Sequence, residues 1–110
     1  MRILLDECVD ANLRRELPGH EVWTVGYAGW AGIKNGKLLC LIADSRQFDV
    51  FVTMDKNLPL QHQLAGLPFA IVVLRATSNK ISAVRLLLPE FLLRIHEFQP
   101  GHVYFLNAPV

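Results

Sequence analysis

The chain is poor in cysteine, in net charge and in long apolar runs, and each shortage removes a class of protein. Only two cysteines, Cys8 and Cys40, occur in 110 residues. They stand far apart in apolar surroundings, with no Cys-x-x-Cys and no cysteine–histidine spacing. A disulfide framework or a zinc site is therefore disfavoured, and two buried free thiols in a reducing compartment are the expectation. Eleven Lys and Arg nearly balance ten Asp and Glu, leaving a formal net charge of +1. That excludes a broadly basic nucleic-acid coat, so any contact with nucleic acid must come from a local cluster. No stretch approaches the ~18 uninterrupted apolar residues of a membrane span. The start, Met1-Arg2-Ile3-Leu4-Leu5, lacks the apolar region and cleavage site of a signal peptide. The sequence reads as a cytoplasmic protein without membrane contact.

Apolar residues make up 52% of the chain and charged ones 19%, which excludes disorder. The length suits one domain over residues 1–110. Such a domain buries about two-thirds of the surface its unfolded chain exposes.

Short apolar runs alternate with longer amphipathic stretches. Ile3 to Leu5 reads as a first strand, apolar without alternation and so covered on both faces. Asp10 to Leu17 reads as a short helix, with Asp10 as N-cap and Gly19 near its C-terminal stop. Glu21 to Val25 is a second strand, followed by a loop with glycines at 26, 29 and 32. Asn35 is positioned to cap a second helix running to about Ser45. Asp49 to Thr53 is a third strand, Leu58 to Leu64 a helical turn, and Phe69 to Leu74 a fourth strand rich in β-branched residues. A last helix runs from about Ser78 or Asn79 to Glu97, with Pro89 expected to kink or split it. Val103 to Leu106 is a final strand. This order predicts an α/β/α sandwich with a mostly parallel five-stranded sheet and helices on both faces. In such sheets ligands sit beyond the carboxyl ends of the strands, where strand order reverses.

Asp6 and Glu7 follow the first strand, and Asp55 stands two residues past Thr53 at the end of the third. If those strands are neighbours, three carboxylates converge. Clustered carboxylates repel unless something neutralises them, and a hard divalent cation such as Mg²⁺ or Mn²⁺ is the usual partner. Thr53 can position a water or a phosphate oxygen. The alternative is local: Asp6 and Glu7 cap the first helix, and Asp55 makes a turn with Asn57. Lys34, Lys37 and Lys56 lie in the same loops, either as a rim for RNA phosphates or as a solvated balance to the acids. Tyr27 and Trp30 suit either stacking on unpaired bases or packing on the sheet edge. His20, His62, His96 and His102 are scattered and read as structural or exposed. The last helix is apolar on more than one side; Leu86, Leu87 and Leu93 form the excess. That suits core packing, a homodimer contact or a groove for a partner helix.

The chain resembles the short PIN-like proteins, toxin components of bacterial toxin–antitoxin systems related to VapC-type ribonucleases. The likeness is carried by Met1-Arg2-Ile3-Leu4-Leu5-Asp6-Glu7, Gly19-His20-Glu21-Val22, Trp30-Ala31-Gly32-Ile33-Lys34-Asn35-Gly36-Lys37-Leu38-Leu39, and Phe48-Asp49-Val50-Phe51-Val52-Thr53-Met54-Asp55-Lys56-Asn57-Leu58. It continues through Val72-Val73-Leu74-Arg75-Ala76 and the final strand. The resemblance implies a PIN-like fold, a metal-dependent ribonuclease acting on RNA, and a cognate antitoxin protein as partner. It implies metal ligation by Asp6 and Asp55, with Glu7 beside the first. Many relatives have an acid at the start of the second helix, where this chain has Asn35-Gly36. Asn35 can offer its carbonyl oxygen to a metal but brings no charge, which weakens divalent binding.

Two other classes compete. A catalytically impaired PIN-like interaction module would bind a partner through its C-terminal helix. A phosphoacceptor domain would also place acids after the first and third strands, and a hydroxyl such as Thr77 or Ser78 after the fourth. It further needs a lysine after the fifth, and His102 to Val110 contains none.

Overall fold

Runs of Val, Ile, Leu and Phe that cannot alternate polar and apolar residues form the central strands of a parallel sheet, covered on both faces. In the computed structural model, which describes residues 1–61 and 63–108 (backbone only at residues 35 and 61), five strands align in parallel. They are β1 (Arg2–Leu5), β2 (Glu21–Thr24), β3 (Val50–Thr53), β4 (Ala70–Arg75) and β5 (Val103–Asn107), in the order β2-β1-β3-β4-β5. Every neighbouring pair is parallel, with Leu5 opposite Val52 and Thr53 opposite Val73. The α/β class and the five-stranded sheet expected from the sequence are present, and the sheet is wholly parallel. Among the described residues no helix is long and apolar enough to cross a membrane.

Alternate residues of each strand feed two cores. Leu4, Phe51, Ile71 and Val73 point to one face, covered by α1 (Asn35–Ser45) through Leu38, Leu39 and Ile42, and by Leu58 of the single turn α2 (Leu58–Gln61). Ile3, Leu5, Val52, Val72 and Leu74 point to the other. That second face is covered by Leu13 of a 3₁₀ segment, Ala11–Glu16, and by the helical run before β5. Asp10 caps the 3₁₀ segment, accepting from the Asn12 amide at 2.9 Å, as the sequence suggests, although the segment is 3₁₀ rather than α. Asn35 is the first residue of α1 and not its cap; Lys34 holds that position, with no side-chain cap bond among the described residues.

The expected last helix is broken into α3 (Ile81–Val84), a 3₁₀ turn Arg85–Leu87, α4 (Leu88–Arg94) and a 3₁₀ turn Ile95–Glu97. Pro89 sits in the first turn of α4, where its missing N–H costs no helical bond. It splits the run as anticipated. Leu87 is buried in the core and so drops out of the apolar excess, whereas Leu86 and Leu93 are exposed.

The connections differ in hand. The β1–β2 and β4–β5 links both pass over the face of Leu5 and Val52, yet they travel in opposite directions along the sheet. The β2–β3 and β3–β4 links cross the other face. The first three therefore share one hand and the fourth takes the other. Such mixing is unusual, because a twisted parallel sheet strongly favours a single hand.

Candidate functional site

The winding direction reverses between β1 and β3, which are direct neighbours. A crevice at that reversal, beyond the carboxyl ends of the strands, is where this architecture places ligands. The residues leaving β1 and β3 there are Asp6 and Thr53. The Asp6 amide continues the ladder by donating to the Val52 carbonyl at 2.9 Å, which fixes where its side chain starts.

Asp6 and Thr53 are both buried. Thr53 Oγ1 donates to Asp6 Oδ2 at 2.7 Å and accepts the Asp55 amide at 3.0 Å, so one hydroxyl links the first acid to the loop of the second. The Glu7 amide donates to Asp6 Oδ1 at 2.8 Å. Asp55 Oδ1 accepts the Asn57 amide at 3.0 Å, the turn foreseen from the sequence. Charge in the Asp6 carboxylate is thus met by neutral dipoles, and no basic side chain forms an ion pair with it among the described residues.

Cys8 joins this network, which the sequence did not signal beyond its place two residues after Asp6. Its thiol donates to Asp6 Oδ2 at 3.7 Å and accepts the Met54 amide at 3.3 Å. Partial burial, helped by the neighbouring Asp6 carboxylate, holds this thiol above its ordinary pKa. The Met54 amide and the Thr53 hydroxyl pull the other way without cancelling the effect. Cys8 and Cys40 are free, as expected, but both are exposed rather than buried.

Glu7 departs from expectation. Its Oε1 accepts the Gly32 amide at 2.7 Å, which ties the loop after β1 to the glycine-rich loop after β2. Among the described residues no group of three or more His, Cys, Asp or Glu side chains is arranged to hold a metal ion. What remains near the reversal, Asp6 and the Asp55 loop, offers hard oxygen donors. That donor set fits a water-rich Mg²⁺ or Mn²⁺ held by one or two carboxylates, and does not fit a closed protein cage. The side chain of Asn35, and His62 altogether, lie outside the described residues.

Lys34, Lys37 and Lys56 are exposed. Lys34 and Lys37 stand at the start of α1, and Lys56 follows β3, so all three belong to the carboxyl edge. Trp30 is half-buried and meets Phe48 edge-on at 6.2 Å, which makes it a packing residue. Tyr27 is exposed, although its ring lies 4.9 Å from that of Trp23. His20 meets the Met1 amino group at 3.1 Å, and His96 and His102 are exposed.

Fold and site together define a doubly wound parallel α/β protein with an acid–hydroxyl–thiol cluster at its reversal point. Comparison with family models, with curated proteins and with solved structures finds no match.

Proposed function

We propose that the chain is a divalent-cation-dependent phosphodiesterase acting on RNA, of the toxin type that its PIN-like resemblance implies. The observation that carries this reading is the position of Asp6: a buried carboxylate at the β1–β3 reversal, linked through Thr53 to the loop of Asp55. Asp6 and Asp55 would hold Mg²⁺ or Mn²⁺. Such a cation supplies a bound water of lowered pKa and neutralises charge on a phosphate under attack.

The chain's own residues do the rest. Thr53 keeps Asp6 Oδ2 in place by donating to it, and its acceptance of the Asp55 amide sets the height of the following turn. Glu7, held by Gly32, orders the glycine-rich loop that leads to Lys34 and does not act on the reacting atoms. Lys34, Lys37 and Lys56 bring positive charge to substrate phosphates, contacts that position a polynucleotide without reading its sequence.

Calorimetric titration with Mn²⁺ tests this directly. Wild type is expected to bind and to cleave single-stranded RNA at millimolar metal, while Asp6→Asn and Asp55→Asn lose both. Equal heats in all three proteins together with no cleavage would sink the proposal.

A second reading rests on Leu86 and Leu93, which are 61% and 83% exposed and lie one heptad apart on the helical run before β5. They suit a non-catalytic module whose C-terminal helices bind a partner, whether an antitoxin or a second copy. A co-purifying protein that binds Asp6→Asn/Asp55→Asn as tightly as wild type, and is lost in Leu86→Lys/Leu93→Lys, would favour it.

A further inference from the structure

The β4–β5 end of the carboxyl edge carries a cation for which the phosphodiesterase reading has no role. Arg75 is the last residue of β4. Its Cζ lies 4.1 Å from the centroid of the Phe105 ring, and its Nη1 donates to Asn107 Oδ1 at 3.4 Å. Phe105 and Asn107 both belong to β5, and Asn107 is the register partner of Arg75. The side chain is therefore laid across the neighbouring strand rather than left to sweep through solvent.

Position and charge make this more than edge packing. Arg2, Arg85 and Arg94 each pair with a carboxylate. Among the described residues none pairs with Arg75, so its charge is ordered but not neutralised. Thr53 stands opposite Val73 in the β3–β4 register. Two residues farther along the chain from these come Asp55, in the turn after β3, and Arg75, the last residue of β4. Lys56 follows at once. A guanidinium stacked on an aromatic face keeps its N–H donors at the rim of its plane, where they can take two phosphate oxygens together.

We infer that Arg75 binds a phosphate group of the ligand at the carboxyl edge, with Phe105 and Asn107 as its support. The inference rests on the phosphoester reading and deepens it by naming the group that anchors the substrate. The shared chemistry is a phosphate oxygen pair, from either a free phosphate or a polynucleotide.

Binding of inorganic phosphate and of a short single-stranded oligouridylate, measured over a series of NaCl concentrations without divalent cation, separates these sources. Arg75→Gln is expected to weaken the oligonucleotide about tenfold. It should also lower the slope of log affinity against log salt by about 0.7, one single-strand phosphate contact. Arg75→Lys should restore the slope but not the affinity, and, by keeping the charge, it separates lost contact from lost structure. A matching loss of inorganic phosphate binding assigns a free or terminal phosphate; an effect on the oligonucleotide alone assigns a diester. Wild-type affinity and slope in Arg75→Gln, or no binding of either probe by wild type, overturns the inference. Arg75-dependent binding without any cleavage leaves it standing and removes only the hydrolytic reading.

Discussion

At the amino edge of the sheet Arg2 lies 3.3 Å from Asp49, while at the carboxyl edge Asp6 accepts, among the described residues, from an amide, a hydroxyl and a thiol. The difference is one of compensation. Arg2 also donates to the Arg46 carbonyl at 3.2 Å, and its own amide donates to Asp49 Oδ2 at 2.8 Å, so at the amino edge the acid is met by both a cation and a dipole. The carboxyl edge satisfies its buried acid with neutral donors and leaves Lys34, Lys37, Lys56 and Arg75 without carboxylate partners among the described residues. An exposed ion pair adds at most about 1 kcal/mol to stability, whereas a buried acid depends on the donors that satisfy it. On the proposed function, cation and phosphate binding belong to the carboxyl edge and not to the amino edge.

Substitutions can break that division, starting with the largest expected effect. Gly101, in the amino-edge turn before β5, has φ +79°, and an added Cβ would come within 2.4 Å of the Ala65 carbonyl oxygen, which is backbone and cannot swing aside. Gly101→Ala should cost about 2–4 kcal/mol in denaturant unfolding and leave Mn²⁺ heats unchanged at temperatures where it is folded. At the opposite edge, Thr53→Val removes the donor to Asp6 and the acceptor of the Asp55 amide at constant volume. A loss of about 1–3 kcal/mol is expected, together with weaker cation binding. Stability loss without any change in Mn²⁺ binding would mean that the two edges do not divide as described.

A smaller effect sharpens the comparison through pH. Partial burial pushes Asp49 up, but the Arg2 amide, its guanidinium and the nearby amino terminus outweigh it and hold the carboxyl below its ordinary value. Because the folded-state value is the lower one, the stabilisation is complete above the unfolded carboxylate pKa of about 3.9. It is lost as pH falls through the folded value. The pair is surface-exposed, so Asp49→Asn should cost at most about 1 kcal/mol near neutrality. Its melting curve should merge with wild type in acid. The smallest effect is kinetic. With its pKa raised, Cys8 should be alkylated by iodoacetamide slowly at neutral pH despite its exposure, with the rate climbing only above the usual thiol range. Thr53→Val, which removes a hydroxyl that lowers that pKa, should slow it further.

Much of this was legible from residues in order. Continuous β-branched runs marked the strands, Pro89 marked the break before Phe91, and Asp6 and Asp55 stood out as acids directly beyond apolar runs. Sequence also gave the turn at Asn57, because Asp hydrogen-bonds readily to the amide two residues on. What stayed hidden depends on contacts between distant segments. Glu7 has the same carboxylate as Asp6, but only the folded path of the glycine-rich loop brings the Gly32 amide to it. Cys8 looked like a small apolar residue until Met54 and Thr53 were placed beside it. Arg75 ended an apolar run without distinction; its support on Phe105 exists only because β5 pairs with β4. The 3₁₀ character of Ala11–Glu16 was equally invisible, since short polar-rich helices carry no periodicity that separates three from 3.6 residues per turn.

The oddly handed β4–β5 link has a consequence for how the chain reaches its native state. Leu5, Val52 and Leu74 lie under Leu88 and Phe91, which are reached only after four of the five strands have been traversed. A chain emerging from the ribosome would present that apolar flank covered only by Leu13 and Leu17 until its final third arrived and swung to the side opposite α1. Closure from such distant sequence positions is slow, because loop entropy is lost before contacts repay it. Folding of this molecule should therefore wait on its tail, and a fragment ending at Arg75 should aggregate rather than fold.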